Sequence, residues 1–582
     1  MSAVVDVAAV AVVAAFGFPL LLALLMTIRP LRGVVEAAAA WSALPAVLVA
    51  VAPLRDVHIE WSGVLLGLQL SSAGAVTRVF LLFTAVLWLA AGVFARTYLA
   101  NDLHRGRFWS FFVATLAGNV GVVLADDVVG FYAFYALMTF AAWGLVVHDR
   151  TAEALRAGIV YLLMALVGEM VLVSAFFLIV GDDLNLPLRE VPAAVAASPH
   201  STLVVVLLLV GFGVKAGALL LHMWLPLAHP VAPTPASAVL SGAMIKAGLL
   251  GWLRFLPLGT AELPVIGTVC IVAGLAAVFY AVVVGVTQRA PKTILAYSSV
   301  SQMGFMTATI GVGLAHPQAA STVVAAVVVY ALHHALAKGA LFLGVGVAKD
   351  SGPGWAGRFV TLGLAWSALE IAAGPLTSGA LAKSSISQAM SVSSSSSILS
   401  WVLSLGAVGS TILMVQFLRR AIPRAPTLPR APPPGLWIPW LLLLLFDVAV
   451  PWRSPVTAAH PALLLHADKL WGALWPVVTG VVVVVVVGAA LRRAGRASPE
   501  VPGGDVLIFV EVVVRRALAL AAAAEQRIAA RPRGDLLARL RSFNASALRR
   551  AERIDARLRS FETIGLLFVV VVVVLGAAAL IP

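Results

Sequence analysis

The chain has 582 residues, 61% of them hydrophobic and 11% charged, with a formal net charge of +14 at pH 7 and a mean hydropathy of +1.01. That composition excludes a soluble globular protein. The basic excess does not point to nucleic acid either, because the arginines cluster between apolar runs and no basic, aromatic-interleaved domain exists to hold a phosphate backbone.

Apolar runs of the length needed to cross a hydrocarbon core of about 30 Å predict an all-α polytopic membrane protein with roughly sixteen transmembrane helices. They lie near residues 8–28, 34–53, 77–95, 108–125, 128–147, 158–180, 201–222, 231–256, 264–286, 293–314, 321–347, 359–390, 396–418, 435–450, 471–491 and 563–581. The first run lacks a basic n-region and a small-residue cleavage site, so it reads as a retained helix. Arg29 and Arg32, Arg105 and Arg107, Arg150 and Arg156, Arg289 and Lys292, Lys349 and Arg358, and Arg419, Arg420, Arg424 and Arg430 fall in odd-numbered loops. By the positive-inside rule those loops are expected to be cytoplasmic and the N-terminus outside, in a cell inner (cytoplasmic) membrane.

Two stretches break helix geometry at membrane depth: His222 to Pro235, which holds Pro226, Pro230, Pro233 and Pro235, and Gly374-Pro375. Irregular backbone survives there only where protein or a wet cavity satisfies it, and paired interruptions in two halves of a chain point to transport between inverted repeats. The expected division is residues 1–107, N-terminal helices; 108–256 and 264–418, two inverted repeats of about five helices each with broken helices; and 419–491, C-terminal helices.

Lys215 lies inside an apolar run, as do Lys246, Lys338 and Lys383. A charge at the centre of a membrane helix costs roughly 2.5–3.5 kcal/mol on insertion scales, so such residues mark a transport path by default. The proton affinity of a buried lysine follows the charge of its neighbours, and histidine titrates near neutral pH, so both can relay protons. His222, His229 and His334 are therefore candidates, as are the intramembrane acids Glu169 and Glu370. With the single cysteine Cys270 the chain can hold no iron–sulfur cluster, cysteine-based zinc site or internal disulfide, and no Gly-rich phosphate loop follows a strand. No cofactor, metal or redox centre is expected in this chain.

The stretch Gly211-Phe-Gly-Val-Lys215, His222-Met-Trp-Leu-Pro226, Ala228-His229, Leu240-Ser-Gly242 and Lys246-Ala-Gly248 through Arg254 closely resembles the antiporter-like proton-conducting subunits of respiratory complex I, Mrp antiporters and membrane-bound hydrogenases. Leu295 to Gly304, His334-Ala-Leu-Ala-Lys338, and Gly374-Pro375 with Gly379-Ala-Leu-Ala-Lys383 carry the same resemblance. It implies that Lys215 is the central lysine of a first half-channel, Lys246 its inward neighbour, His334 and Lys338 a link to the second half, and Lys383 the terminal lysine near the exit. One departure stands out. The family places a glutamate in the fifth helix, whereas this chain has Phe134-Tyr135-Ala136. Glu169, in the sixth helix, is expected to replace it, with its carboxylate within about 10 Å, one Debye length at 0.1 M salt, of the Lys215 nitrogen.

Residues 505–562 carry Leu536, Leu540, Phe543, Ala547, Ala551, Ile554, Leu558 and Phe561 at helical spacing, with arginines filling the remainder. This segment is expected to be an amphipathic lateral helix on the cytoplasmic side, similar to that of the family's terminal subunit type, and 563–582 a final anchor. The expected function is a proton-translocating subunit of a complex I-like NADH:quinone oxidoreductase or hydrogenase assembly, with other membrane subunits as partners. An Mrp-type cation/proton antiporter subunit is the alternative, and a non-pumping scaffold of an oxidoreductase or of an inorganic-carbon uptake complex a second one.

Overall fold

The computed structural model describes residues 6–52, 55–64, 67–181, 186–392, 396–422, 431–449, 452, 465–495, 501, 516 and 519. The chain divides into two compact units, Met1–Glu60 with Leu68–Gly503, and Trp61–Gly67 with Gly504–Pro582. Every helix below belongs to the first unit. The lateral helix expected at 505–562 and the anchor at 563–582 lie outside the described residues, apart from the isolated positions 516 and 519.

In chain order the helices are α1 (Val7–Leu25), α2 (Arg32–Ala39), α3 (Leu44–Val51), α4 (Ala75–Tyr98), α5 (Arg105–Leu124), α6 (Val128–Val146) and α7 (Ala152–Val180). Then come α8 (Val191–Ala197), α9 (Ser201–Ala216), α10 (Trp224–Val231), α11 (Thr234–Val239), α12 (Ile245–Phe255), α13 (Pro264–Gly285) and α14 (Pro291–Ala315). The last six are α15 (Ala320–Lys349), α16 (Trp355–Ile371), α17 (Ser378–Met390), α18 (Ser396–Ala421), α19 (Pro434–Ala449) and α20 (Ala467–Arg493). Local chemistry sets many of the starts. The side chains of Asp6, Asp127, Thr151 and Thr377 accept the first free amides of α1, α6, α7 and α17, and Pro264 and Pro291 open α13 and α14.

Eleven helical segments among the described residues are long and apolar enough to cross a membrane, with Ser201–Ala216 and Pro434–Ala449 as shorter apolar helices. The molecule is a multi-pass, helical membrane protein. Outer faces are apolar: Val265, Val269, Val272 and Val283 of α13 and Val482, Val485, Val486 and Val487 of α20 are all exposed, as a lipid-facing surface requires. The interior belongs to α14 and α15, whose residues Lys292–Ala315 and Ala326–Ala348 are all buried.

Three expected helices are interrupted. The run at 34–53 is divided by a turn between Ala39 and Leu44. The run at 201–222 stops at Ala216, where Gly217 adopts φ +72° and ends α9 in the left-handed conformation. The run at 359–390 divides into α16 and α17 around Gly374-Pro375, and between them Ala373 and Leu376 also take positive φ. The proline-rich stretch supplies the short helices α10 and α11, and a π-turn at Leu240–Met244 follows before α12. Both interruptions expected at membrane depth are present.

α13 and α14 approach to backbone contact along a glycine seam. A Cβ on Gly267 would lie 2.5 Å from the Gly311 carbonyl oxygen, and one on Gly274 2.5 Å from that of Gly304. Such seams let membrane helices pack without a hydrophobic driving force between them. Gly304→Val is expected to force the helices apart and cost about 1–3 kcal/mol, read as a lower melting temperature of the detergent-solubilised protein. Gly472→Ala on α20, with open space around it, should leave that temperature unchanged.

Candidate functional site

Lys215 sits in the last turn of α9, 5% exposed. Its ammonium donates to the Tyr161 hydroxyl at 3.2 Å, and that hydroxyl donates onward to the Thr139 carbonyl at 2.8 Å. The nitrogen also lies 5.4 Å from the ring centre of Tyr161 and 5.8 Å from that of Tyr135, within cation–π range. Below the end of α9, Trp224 donates to the Val214 carbonyl at 2.8 Å and so fixes α10 against it.

Glu169 on α7, also 5% exposed, faces the same small cavity as Lys215. That cavity has a volume of about 20 Å³ and is bounded by Tyr135, Thr139, Tyr161 and Trp224 as well, enough space for one water molecule. The two form no direct hydrogen bond, and neither carboxylate oxygen of Glu169 has a hydrogen-bond partner among the described residues, so they face each other across this space. The closeness of α7 and α9 has a backbone cause: a Cβ on Gly168 would stand 3.3 Å from the Gly211 carbonyl oxygen. Ala136, at the position where the resemblance implies an acid, is half-buried on α6, while its neighbour Tyr135 turns its ring to the lysine.

A second group of amines occupies the centre of the molecule. Lys246 and Lys338 are fully buried, and Lys292 nearly so. Lys246 donates to the Ser241 carbonyl at 2.6 Å, within the π-turn, and Lys338 to the Leu295 carbonyl at 2.9 Å. Lys292 donates at 2.6 Å to the Ala232 carbonyl, at the interruption between α10 and α11. The charges of Lys246 and Lys338 both reach His229, His333 and His334. His229 stacks on Phe342 with ring centres 4.6 Å apart, and His333 shares a 2.8 Å hydrogen bond with the Ser378 hydroxyl. His222 lies edge-on to Tyr280 at 5.4 Å between ring centres.

Toward the second interruption, Glu370 is fully buried at the end of α16 and accepts a 3.4 Å hydrogen bond from Ser378. Lys383 is half-buried on α17.

Residues 125–416, half of the 582, match the family model described as "NADH:quinone oxidoreductase/Mrp antiporter, TM". The chain belongs to this family. Hydrogenase-4 component B of Escherichia coli (strain K12) is 29% identical over 285 residues, which cover 47% of this chain and 42% of that protein. Na(+)/H(+) antiporter subunit A1 of Staphylococcus haemolyticus (strain JCSC1435) is 33% identical over 260 residues, covering 42% of this chain and 32% of that one. The matched region therefore spans less than half the length of these curated relatives. In fold, the chain is similar to the structure of the Mrp complex from Dietzia sp. DQ12-45-1b, with a TM-score of 0.73 at 23% identity, covering 94% of this chain and 63% of that one. It also resembles the membrane-bound sulfane sulfur reductase, an archaeal respiratory membrane complex, with a TM-score of 0.62 at 19% identity and coverage of 81% and 100%.

Within the family fold, the structure gathers Lys246, Lys338, His229 and His334 into one central group, sets Lys215 with Glu169 in a second, and leaves Lys383 and Glu370 toward the second break. Sequence reasoning did not single out Lys292 or Tyr161. Lys292 was read as part of the basic pair with Arg289; the signal against that was Pro291, which opens α14 and carries Lys292 into its first turn. Tyr161 stands eight residues before Glu169, about two helical turns, so a shared face was readable.

Removing one member of a buried charge pair leaves the other uncompensated. Lys215→Met and Glu169→Gln are each expected to destabilise the protein, and the double variant to be more stable than the sum of the two losses predicts. The coupling should be on the order of 0.5–3 kcal/mol, measured by a double-mutant cycle on thermal unfolding. Strictly additive losses would show that the two groups do not interact.

Proposed function

We propose that this chain is the ion-conducting membrane subunit of a complex I-like assembly, moving protons through its buried lysines, histidines and acids. One observation carries the reading. Lys246, Lys338 and Lys292 each give their hydrogen bond to a main-chain carbonyl. A carbonyl accepts from an ammonium and, more weakly, from a neutral amine, so these lysines keep a hydrogen bond whether or not they hold the proton. A lysine paired with a carboxylate would lose its ionic attraction on giving up the proton.

In this reading Lys215 is the central lysine of a first half-channel built by residues 108–256, with Glu169 as its acid in place of the side chain absent at Ala136. Lys246, His229, His334 and Lys338 join it to the second half, residues 264–418, and Glu370 and Lys383 stand toward the exit. His222, at the first interruption, borders the path. The two halves are inverted repeats, the N-terminus lies outside, and the odd-numbered loops face the cytoplasm of a cell whose inner membrane holds the complex. Partners are other membrane subunits, which supply the driving reaction.

A second reading, an Mrp-type cation/proton antiporter subunit, draws on the printed names of several relatives, which are Na(+)/H(+) antiporter subunits. Inverted membrane vesicles containing the full assembly separate the two. Lys338→Met and Lys215→Met are each expected to reduce proton uptake at least about tenfold, equivalent to about 1.4 kcal/mol in the barrier, with the redox or hydrogenase reaction as the driving force. Proton uptake that instead follows an imposed sodium gradient without any electron donor selects the antiporter. Unchanged uptake in both variants would leave the chain a scaffold.

A further inference from the structure

Asp447 takes no part in the relay described above, although it is fully buried on α19 and lies against another buried acid, Glu370. The contact follows from how α19 is held. Trp440 donates its indole N–H to the Ala340 carbonyl of α15 at 3.0 Å, and its ring fills the notch over Gly363 of α16, where a Cβ would come within 2.5 Å of it. Seven residues further along both helices, two turns of each, stand Glu370 and Asp447. The equal step means that α16 and α19 run parallel here, and the second contact falls where the first dictates.

The two carboxyl groups lie close enough to share a hydrogen bond. An ionised carboxylate only accepts hydrogen bonds, so a bond between two of them exists only when one carries a proton. The surroundings enforce that state. Among the described residues no lysine or arginine forms an ion pair with either acid, and two bare negative charges side by side at membrane depth are untenable. Glu370 Oε2 and both Asp447 oxygens have no other protein partner among the described residues, and neither has the buried Ser367 hydroxyl, one turn before Glu370 on α16. On the helices packed against the pair, Lys338 of α15 is turned to the Leu295 carbonyl, Lys383 of α17 is half-buried, and the arginines of α4 and α18 stand in terminal turns. His333 of α15 is the titratable group joined to the pair, through Ser378.

We propose that Glu370 and Asp447 form a proton-holding carboxyl pair, loaded from His333 through the Ser378 hydroxyl. The transfer balances: His333 Nδ1–H breaks as the proton passes to Ser378 Oγ, while the Ser378 hydroxyl proton passes to Glu370 Oε1. Serine ends as it began, the His333 imidazolium becomes a neutral imidazole, and the carboxyl pair, which keeps one proton throughout, gains a second. The store's purpose rests on the conduction reading above; its chemistry does not.

Infrared difference spectroscopy of the complete purified assembly, titrated with acid and base, reads the pair directly through the carbonyl stretch of a protonated carboxyl group. The wild type is expected to show such a band at neutral pH, shifted in heavy water. Asp447→Asn and Glu370→Gln should each shift and weaken it, because the remaining acid loses its partner, and the double variant, which keeps the shape of both side chains, should fold and lack it. His333→Ala should slow its reloading after a pH jump while leaving its equilibrium intensity in place. A band unchanged in both single variants overturns the proposal. So does a band discharged by sodium chloride but not by potassium chloride, which would make the pair a cation site. A band that persists in Lys338→Met vesicles whose proton uptake is unchanged would sink the conduction reading and leave the pair standing.

Discussion

The cost of a charge without water governs this molecule. A lysine at the centre of a bilayer is expensive wherever no polar group receives it, and most carbonyls of regular membrane helices are engaged along their own helix. Lys338 uses the spare lone pair of Leu295 within α14, while two other lysines are held where helices break. Lys292 finds the Ala232 carbonyl at the interruption between α10 and α11, and Lys246 finds the Ser241 carbonyl inside the π-turn. Lys215 sits one residue before the end of α9. Prolines and glycines that would be faults in an ordinary helix are here the source of the polar sites.

The same logic explains why much of the site could be read from the sequence. Lys215, Lys246 and Lys338 were conspicuous because their neighbours are apolar, and the proline cluster and Gly374-Pro375 announced the interruptions because proline cannot continue a helix. Glu169 was conspicuous for the same reason and does face the cavity of Lys215. What was hidden had no anomaly to betray it. Lys292 looked like a loop residue beside Arg289, and Tyr161 like one more apolar-compatible aromatic. Asp447 lies near the end of an apolar run, where an acid is ordinary; only the contact of α19 with α16 shows where it points. The turn dividing α2 from α3 is followed directly by Pro45 in the first turn of α3, a break signal that the apolar pattern of the run masked.

In the proposed reading, a glutamate on the sixth helix in place of one on the fifth is a change of address more than of chemistry. With Ala136 on α6, the space beside Lys215 is taken by the Tyr135 and Tyr161 rings, and the carboxylate arrives from α7 instead. That route is open because Gly168 and Gly211 let α7 and α9 come close just before Glu169. The aromatic walls keep the cavity small, which strengthens the interaction between the lysine and the acid by excluding bulk solvent.

The left-handed Gly217 that terminates α9 has an electrical consequence for the residue two places before it. Peptide dipoles summed along a helix leave roughly half a negative elementary charge at the C-terminal end, felt within the last turn. Lys215 carries its ammonium at that end, so α9 itself supplies a fixed attraction independent of any acidic side chain. An amine placed there depends less on which neighbouring helix brings an acid to it, since part of its counter-charge is written into the backbone.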